Sequence, residues 1–194
     1  MSYEIPLHPT HPPRALQVDR VLPREMNAAD LEGELERLHP AGFSWALNCC
    51  GRNREDAEEV LQTCYVKILE GRARFDGRSS FKTFLFGVIR KTAAESRRRN
   101  ILRVSKLSNL FLQHRTIPTP ADPEETASRS EDVSRLRRAL ARLARRQREV
   151  VELVFGQELT LEQAARVLGI SVGSARSHYH RAKKRLADAF EVER

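Results

Sequence analysis

The stretch that decides the fold is Thr160–Leu186, which reads TLEQAARVLGISVGSARSHYHRAKKRL. Its spacing predicts a short helix over Leu161–Leu168, a three-residue turn and a second, longer helix. Thr160 and Ser171 each carry a hydroxyl that can cap the helix that follows. Gly169 supplies the backbone that can close the first helix. The pattern predicts a helix-turn-helix, whose second helix can enter the DNA major groove.

The predicted second helix has an apolar face and a basic face. Its apolar residues recur at steps of three or four, at Val172, Ala175, Tyr179, Ala182, Leu186 and Phe190. The polar and basic residues between them are Ser174, Arg176, Ser177, His178, His180, Arg181, Lys183, Lys184 and Arg185. Such side chains can reach phosphates or base edges. An ordinary amphipathic helix could carry the same charges, but the capped turn ahead of it favours DNA.

The composition points to a polyanionic partner. The chain has 194 residues, a formal net charge of +8 and an isoelectric point of about 9.9; a membrane surface would also fit that charge. We find no apolar run long enough to span a bilayer and no secretory signal, so we expect a cytoplasmic protein without membrane insertion. The three cysteines have no C-x-x-C spacing, so we expect reduced thiols and neither a metal nor another cofactor.

Charge is spread unevenly along the chain. Residues 30–70 hold four basic and nine acidic residues, and residues 71–106 hold eleven basic and two acidic ones. Residues 107–132 hold two basic and five acidic residues, and residues 133–194 hold fourteen basic and seven acidic ones. Two basic blocks are thus separated by an acidic connector, although one DNA-binding module would need only one such block.

The periodicity predicts an all-α protein with two small helical domains joined by a flexible linker. We expect a Pro-rich, mobile arm over 1–26, a helical domain over 27–104, an acidic linker over 105–132 and a second helical domain over 133–194. Within the first domain, Pro40 is expected to break or kink a helix. Further helices are expected over about 55–70, from Phe81 to the run Arg97–Asn100, and over 147–155.

Four of the eight phenylalanines cluster beside basic residues, at Phe75, Phe81, Phe84 and Phe86. Aromatic faces stack on unpaired bases, at about 1–3 kcal/mol per base, while cations hold the backbone. Phe81 and Phe84 also fit an inward helical stripe, so core packing is the simpler interpretation for them. Phe75 lies in a Gly-containing loop, where helix packing does not require an aromatic.

Two further surfaces have alternative interpretations. The run Arg97–Arg99 can be a set of solvated cations at a helix C-terminus or a row of phosphate contacts. The polar face of the 55–70 helix carries Asp56, Glu59 and Gln62, which would repel phosphates. That face is either an ordinary solvated surface or a surface for a basic protein partner.

At these residues the chain resembles the extracytoplasmic-function (ECF) sigma factors of the sigma-70 family. Three stretches carry the resemblance: DAEEVLQTCY at Asp56–Tyr65, FDGRSSFKTFLFGVIRK at Phe75–Lys91, and RQREVVEL at Arg146–Leu153 followed by HRAKKRL at His180–Leu186. Each motif alone is moderately specific, whereas the three in this order and spacing are strong. The resemblance covers Asp30 to Phe190 apart from the linker.

The resemblance implies three sets of site residues. Those implied to bind core RNA polymerase are Asp56, Glu59 and Gln62. Those implied to read and melt the −10 element are Phe75, Arg78, Ser79, Ser80, Phe81, Lys91, Arg98 and Arg99. Those implied to read the −35 element are Ser174, Arg176, Ser177, His180, Arg181 and Lys184. The resemblance also implies that the partners are core RNA polymerase, promoter DNA and an anti-sigma factor.

Three positions depart from the pattern of the family. Lys91 stands where Asn is common, Arg97 stands where an apolar residue is usual, and Ala144 stands where a Pro usually opens the helix. The resemblance implies that Lys91 helps to hold a base flipped out of the −10 strand, so its departure puts the base preference in doubt. The departure at Ala144 puts in doubt where the helix predicted over 147–155 begins. None of them removes a chemical group that the function needs.

The residues favour a non-enzymatic function. We find neither a phosphate-binding glycine loop nor an H-E-x-x-H metal pair, and no nucleophile paired with a base. The main prediction is therefore an ECF sigma factor. One alternative is a stand-alone helix-turn-helix regulator, which leaves 56–91 without a role. A second is a thiol or metal sensor built on Cys49, Cys50 and Cys64, although adjacent cysteines on a helix point about 100° apart.

Overall fold

The computed structural model describes residues 28–108, 136 and 138–191. The predicted arm over 1–26 and most of the predicted linker lie outside the described residues. Within them the chain is helical and has no strand, which confirms the all-α fold class, and no helix is long and apolar enough to cross a membrane. The helices are α1 (Ala28–Cys49), α2 (Arg54–Leu69), α3 (Phe81–Ser108), α4 (Arg145–Val151), α5 (Leu161–Leu168) and α6 (Val172–Glu191).

Helix α1 continues through Pro40, so the proline does not break the helix. Pro40 is exposed, and it removes one backbone hydrogen bond at the solvent-facing side of the helix. Leu38 before it and Trp45 after it are both buried in the same core. Packing of the inward face on both sides therefore outweighs the local cost of the proline.

Helices α1, α2 and α3 pack around a core of large side chains. Trp45, Leu85, Phe86 and Ile89 have no exposed surface. The rings of Trp45 and Phe86 stack with centroids 6.1 Å apart, and Trp45 Nε1 donates to the Phe86 carbonyl at 3.1 Å. Burial of these four side chains, at about 1.5–3 kcal/mol for each aliphatic or phenyl group, accounts for much of the stability of this half.

Helix α3 is longer than the sequence predicts. It continues to Ser108, so the run Arg97–Arg99 lies inside the helix and not at its end. Residues 105–108 are helical, although the linker is predicted to begin at 105. Apolar residues follow the arginine run at Ile101 and Leu102, and both are exposed. The helix therefore extends beyond its packed portion.

The second half contains two short helices, α4 and α5, and the 20-residue α6. Helix α4 begins after Ala144, whose N–H donates to Gln147 Oε1 at 3.3 Å, and it runs into a π-helical turn over Glu152–Gly156. The helix predicted over 147–155 is thus present, but it starts two residues earlier and widens at its end. Helices α5 and α6 pack against α4 and against each other, and α5 also packs on α3.

Candidate nucleic-acid interface

The helix-turn-helix predicted at Thr160–Leu186 is present, and local contacts fix its geometry. Thr160 Oγ1 accepts from the Gln163 N–H at 3.2 Å, while Gln163 Oε1 accepts from the Thr160 N–H at 2.9 Å. Gly169 closes α5 in the left-handed region, with φ of 60° and ψ of 41°. Ser171 Oγ accepts from the Ser174 N–H at 3.0 Å and caps α6. These contacts set the direction in which α6 leaves the turn.

All of the residues predicted to read the −35 element are exposed on α6; they are Ser174, Arg176, Ser177, His180, Arg181 and Lys184. Beneath them Ala175 and Ala182 are fully buried, and Tyr179 is half-buried. The small side chains bring α6 close to its neighbours while its polar face points outward. The structure therefore collects this predicted set on one accessible helix face.

Arg176 is partly held in place across the turn. Its guanidinium lies 3.4 Å from Glu162 Oε1 at the start of α5, and both side chains are mostly exposed. Hydrogen bonding to its own backbone N–H, to Thr160 and to Arg176 lowers the pKa of Glu162. The pair is worth at most about 1 kcal/mol in water, so Arg176 remains available to a stronger acceptor such as guanine or phosphate.

Phe75 packs on two residues of α3, although helix packing was not expected to require an aromatic at this loop position. Its ring meets Phe81 edge-on at 5.5 Å and lies 5.4 Å from the ring of Phe84. Gly77, with φ of 70°, gives the loop the turn that helps it fold back over the start of α3. Phe81 is only 4% exposed. Base stacking on Phe81 would therefore need this three-ring cluster to rearrange.

The polar residues of the same loop have distinct local partners. Arg78 is exposed, and its backbone N–H donates to Asp76 Oδ1 at 3.1 Å. Ser80 Oγ accepts from the Thr83 N–H at 3.2 Å and caps α3. Ser79 is half-buried, and its hydroxyl donates to the carbonyl of Ser80 at 3.2 Å. The turn over 76–80 is thus held by local hydrogen bonds, and the Arg78 side chain on it is exposed.

Three of the predicted −10 residues lie along the solvent face of α3. Lys91, Arg98 and Arg99 are exposed, and the first two are two helical turns apart, at a spacing of about 10 Å. Arg97 has a different role, because its guanidinium donates to the Cys49 carbonyl at 3.1 Å and ties α3 to the end of α1. This tie accounts for an arginine at a position where the family pattern is apolar.

The residues predicted to bind polymerase lie on α2, next to an open groove. Glu59 and Gln62 are exposed and Asp56 is half-buried. The groove has a volume of about 450 Å³, and Gln62 lines it together with His39, Phe43, Arg54, Glu58, Leu61 and Tyr65. His39 Nδ1 and the Tyr65 hydroxyl are 3.1 Å apart at its wall. The structure therefore places Gln62 at an apolar groove with a polar rim, a shape that suits a protein partner.

The three cysteines are free thiols in the first half. Cys49 and Cys64 are buried and Cys50 is half-buried. Burial raises the pKa of Cys50 and of Cys64 to about 11, and it also raises the pKa of Cys49. Among the described residues, no group of three or more His, Cys, Asp and Glu side chains is placed to hold a metal ion.

Two of the contacts between separate elements could not be predicted from the sequence. Lys82 Nζ donates to the Gln157 carbonyl at 2.7 Å, a partner 75 residues away. Phe155 is 61% exposed and stacks on Tyr179 with ring centroids 5.9 Å apart. Helical periodicity could have paired neither contact, because both depend on how separate elements pack.

Comparison with known families assigns both halves. Residues 35–101 match the family profile of Sigma-70 region 2, and residues 134–186 match that of Sigma-70, region 4. The first match covers the segment that a stand-alone helix-turn-helix regulator would leave without a role. Both matches name regions of sigma-70, and neither names an enzyme.

Individual relatives agree with the family profiles. RNA polymerase sigma factor YlaC of Bacillus subtilis is 32% identical over 171 residues, which cover 82% of this chain and 96% of that protein. ECF RNA polymerase sigma factor SigX of Bacillus subtilis is 28% identical, over 73% of this chain and 74% of that protein. The sigma factor RpoE of Bartonella quintana, solved in complex with the anti-sigma factor NepR, has a TM-score of 0.63 and 26% identity, over 85% of this chain and 99% of that one. The chain belongs to the ECF RNA polymerase sigma factors of the sigma-70 family.

Proposed function

We propose that this chain directs RNA polymerase to promoters by reading the −35 element with α6. The observation that carries the proposal is the set of exposed polar side chains on α6 in a capped helix-turn-helix. Arg176 and Arg181 are five residues apart on that face, about 7.5 Å along the helix axis, so the two side chains can reach different base pairs in the major groove. Arginine binds guanine through two hydrogen bonds, and Ser174 and Lys184 supply phosphate contacts.

The first half reads the −10 element and stabilises the open strands. Arg78 and the loop at 71–80 receive bases of the non-template strand, and Lys91, Arg98 and Arg99 hold the phosphates along α3. Strand opening is driven by binding energy within the holoenzyme, so the function needs no catalytic residue and no cofactor. The domain over 27–104 has this role, the domain over 133–194 reads the −35 element, and the linker over 105–132 lets them act together.

Core polymerase binds the exposed face of α2. Glu59 and Gln62 project from that face, and the groove beside them supplies apolar contact area. The acidic face complements a basic partner surface, which favours a protein over nucleic acid at this position. A sigma factor acts with polymerase, which places this chain in the cytoplasm.

An anti-sigma factor restrains the chain. The RpoE structure from Bartonella quintana, which aligns with 85% of this chain, is a complex with the anti-sigma factor NepR. A partner of that class would bind the same helical domains that polymerase needs. Competition between NepR-like binding and core polymerase for the α2 face then controls the activity of the chain.

Run-off transcription tests the proposal directly. The full chain is mixed with bacterial core polymerase and with fragments of the genome that encodes it, and transcript starts are mapped. Specific initiation that depends on the chain supports the proposal, and its absence at every fragment contradicts it. Pull-down of core polymerase separates this function from that of a stand-alone DNA-binding regulator.

Substitutions on α6 test the −35 assignment. Arg176→Ala and Arg181→Ala each weaken promoter binding by about 1–3 kcal/mol if the side chains contact bases. Arg138→Ala removes an exposed arginine elsewhere and is the matched control. Promoter affinity that stays unchanged in both α6 variants counts against the assignment.

Substitutions on α2 test the polymerase surface. The pair Glu59→Ala and Gln62→Ala weakens holoenzyme assembly without unfolding the protein, because both side chains are exposed. The pair Glu32→Ala and Glu36→Ala removes exposed glutamates from α1 and is the matched control. Normal assembly of the Glu59/Gln62 variant would rule this surface out.

A further inference from the structure

The open groove between α1 and α2 is lined by rings. His39, Phe43 and Tyr65 all contribute to its lining, and its volume is about 450 Å³. The rings of His39 and Tyr65 are tilted by 53° with centroids 6.0 Å apart. The Arg54 guanidinium lies over the Phe43 ring at 5.5 Å from its centroid. The groove therefore combines aromatic faces with polar groups at its rim.

A groove of this kind suits a proline-rich ligand. Proline rings pack on aromatic faces, and a polyproline II helix has no internal hydrogen bonds, so its carbonyls are free to accept from the groove. The Tyr65 hydroxyl and the Arg54 guanidinium are donors that can reach such carbonyls. Because proline fixes its own φ, a proline-rich segment also loses little conformational entropy on binding.

The N-terminal arm of this chain contains such a segment. Residues 9–14 lie outside the described residues and read PTHPPR. Pro9 and Pro12 have the P-x-x-P spacing that aromatic grooves bind, and Arg14 follows two residues later. The arm thus carries a ligand whose chemistry matches the groove.

The lengths also agree. The groove residues on α2 extend from Arg54 to Tyr65, which is about 16 Å along the helix axis. The six-residue segment covers about 16 Å as a polyproline II helix. Fourteen residues lead from Arg14 to Ala28 at the start of α1, and they can span up to about 46 Å. Phe43 is about 22 Å along α1 from Ala28, so the segment can reach the groove.

Charge favours the same occupant. Residues 30–70 hold nine acidic and four basic residues, whereas residues 9–14 hold one arginine and no acidic residue. Glu58 lies at the rim of the groove with its side chain 54% exposed, and it is 2.9 Å from Arg54. An exposed ion pair of this type is weak in water, so Arg14 can compete with Arg54 for the Glu58 carboxylate.

We infer that the groove between α1 and α2 is a binding site for a proline-rich segment, and that residues 9–14 of the same chain occupy it. Pro9 and Pro12 pack on the rings, and Arg14 pairs with Glu58. A tethered ligand acts at an effective concentration on the order of millimolar, so a weak site suffices. The proposed function gives the same groove to core polymerase in the holoenzyme, so this site is that of the chain free of polymerase.

A spin label on the arm tests the site in the full chain. Thr10→Cys carries a nitroxide in a Cys50→Ser background, while Cys49 and Cys64 are kept because both are buried. Nuclear magnetic resonance of the ¹⁵N-labelled chain then measures the paramagnetic loss of signal at each backbone amide. Reduction of the nitroxide with ascorbate gives the reference spectrum of the same sample.

We expect the label to reduce the amide signals of Gln62 and Tyr65, because both residues line the groove. Intact signals at these two residues overturn the inference. A mixed sample, with the spin label on one set of chains and ¹⁵N on the other, detects an arm supplied by a second copy. Equal signal loss in the mixed sample overturns the assignment to the same chain.

Proline variants of the labelled chain distinguish a specific site from chance contact of the arm. Three prolines of the segment are replaced together, by Pro9→Ala, Pro12→Ala and Pro13→Ala. We expect this triple variant to lose the paramagnetic effect at the groove, because the preformed helix is lost. Two prolines outside the segment, changed by Pro6→Ala and Pro23→Ala, are the matched control and should keep the effect. The same result for both variants contradicts the inference.

A peptide in solution measures the strength of the site. The fluorescein-labelled peptide LHPTHPPRAL, residues 7–16, is titrated with the natural chain and with the triple variant, and anisotropy reports binding. We expect the triple variant to bind at least about tenfold more tightly, because the natural arm competes at a high effective concentration. Equal affinities, or no binding to either chain, overturn the inference.

A double-mutant cycle tests the pairing of Arg14 with Glu58. In the triple variant, we expect Arg14→Ala in the peptide to weaken binding about threefold, and Glu58→Gln in the chain to remove that difference. Glu55→Gln replaces another exposed glutamate of α2 and is the matched control. A difference that persists with Glu58→Gln overturns the pairing. These measurements contain neither polymerase nor DNA, so failure of run-off transcription would overturn the proposed function alone.

Discussion

The first half of the chain packs three long helices around large aromatic side chains, whereas the second half packs two short helices and one long helix around alanines and aliphatic side chains. Helices α1, α2 and α3 have 22, 16 and 28 residues, and Trp45 and Phe86 are buried between them. Helices α4 and α5 have seven and eight residues, and Ala164, Ala175 and Ala182 are fully buried. The first half therefore depends mainly on the buried area of large rings, and the second depends on a smaller aliphatic core together with caps and turns.

This difference fits the two proposed roles. A helix that enters the major groove needs a fixed angle to its neighbour, and a capped turn provides that angle at little cost in chain length. A surface that holds opened strands competes with re-pairing of the duplex, so its cations must stay in place. A large core provides that rigidity. The two halves should accordingly respond to different kinds of substitution.

The largest expected effect is the loss of Trp45. Trp45→Ala removes a fully buried ring and its hydrogen bond to the Phe86 carbonyl, so we expect the free energy of unfolding to fall by about 3–5 kcal/mol. Urea unfolding of the full chain, followed by circular dichroism, measures the change. Trp45→Phe keeps most of the apolar volume and should cost less. A loss below about 1 kcal/mol for the alanine variant would mean that the core is not the main support of this half.

A smaller effect is expected where the second half depends on backbone geometry. Gly169 lies in the left-handed region with open space around its Cα, so Gly169→Ala should cost about 1–2 kcal/mol from its backbone alone. Gly33→Ala is the matched control, because Gly33 lies within α1 and also has open space around it. There the same substitution should stabilise the chain by about 0.5–1 kcal/mol. Equal signs at the two positions in thermal unfolding would contradict the comparison.

The same contrast explains what the sequence could predict. The helix-turn-helix was predictable to the residue, because Thr160, Gly169 and Ser171 act on neighbours within four positions. The continuation of α1 through Pro40 was not, because it depends on Trp45 and Leu38 packing against other helices. The length of α3 was also missed, since the run Arg97–Arg99 resembles a helix end when Arg97 is not known to contact α1.

The residues of the candidate site also divide into those that the sequence could place and those that it could not. Helical periodicity was sufficient to place the α6 residues on one face, and all of them are exposed. The packing of Phe75 against Phe81 and Phe84 was not predictable, because a loop has no period from which to infer its contacts. The hydrogen bond from Lys82 to the Gln157 carbonyl joins residues 75 positions apart, and no local sequence pattern predicts it.

The smallest effect concerns an ion pair between helices of the first half. Lys67 Nζ lies 2.7 Å from Glu95 Oε2 and 3.1 Å from Thr92 Oγ1, so it joins α2 to α3. The hydrogen bond from Lys67 lowers the pKa of Glu95. A lowered pKa means that the folded state stabilises the ionised carboxylate more than the unfolded state does. The pair therefore stabilises the fold at neutral pH, and this contribution is lost as the pH falls through the folded-state pKa of Glu95.

Glu95→Gln tests whether such a pair adds to a half that already has a large core. About a quarter of the Lys67 side chain and a third of the Glu95 side chain are exposed, so we expect a loss of only about 0.2–1 kcal/mol at pH 7. The difference from the unsubstituted chain should shrink as the pH falls below the ordinary pKa of glutamate, about 4.3, and it should vanish only below the lowered folded-state pKa of Glu95. Glu36→Gln removes an exposed carboxylate from α1 and is the matched control. A difference in the free energy of unfolding that does not change with pH would mean that the amide of the Glu95→Gln variant disturbs packing. A loss above about 2 kcal/mol would mean that the ion pair, and not buried apolar area, holds α2 to α3.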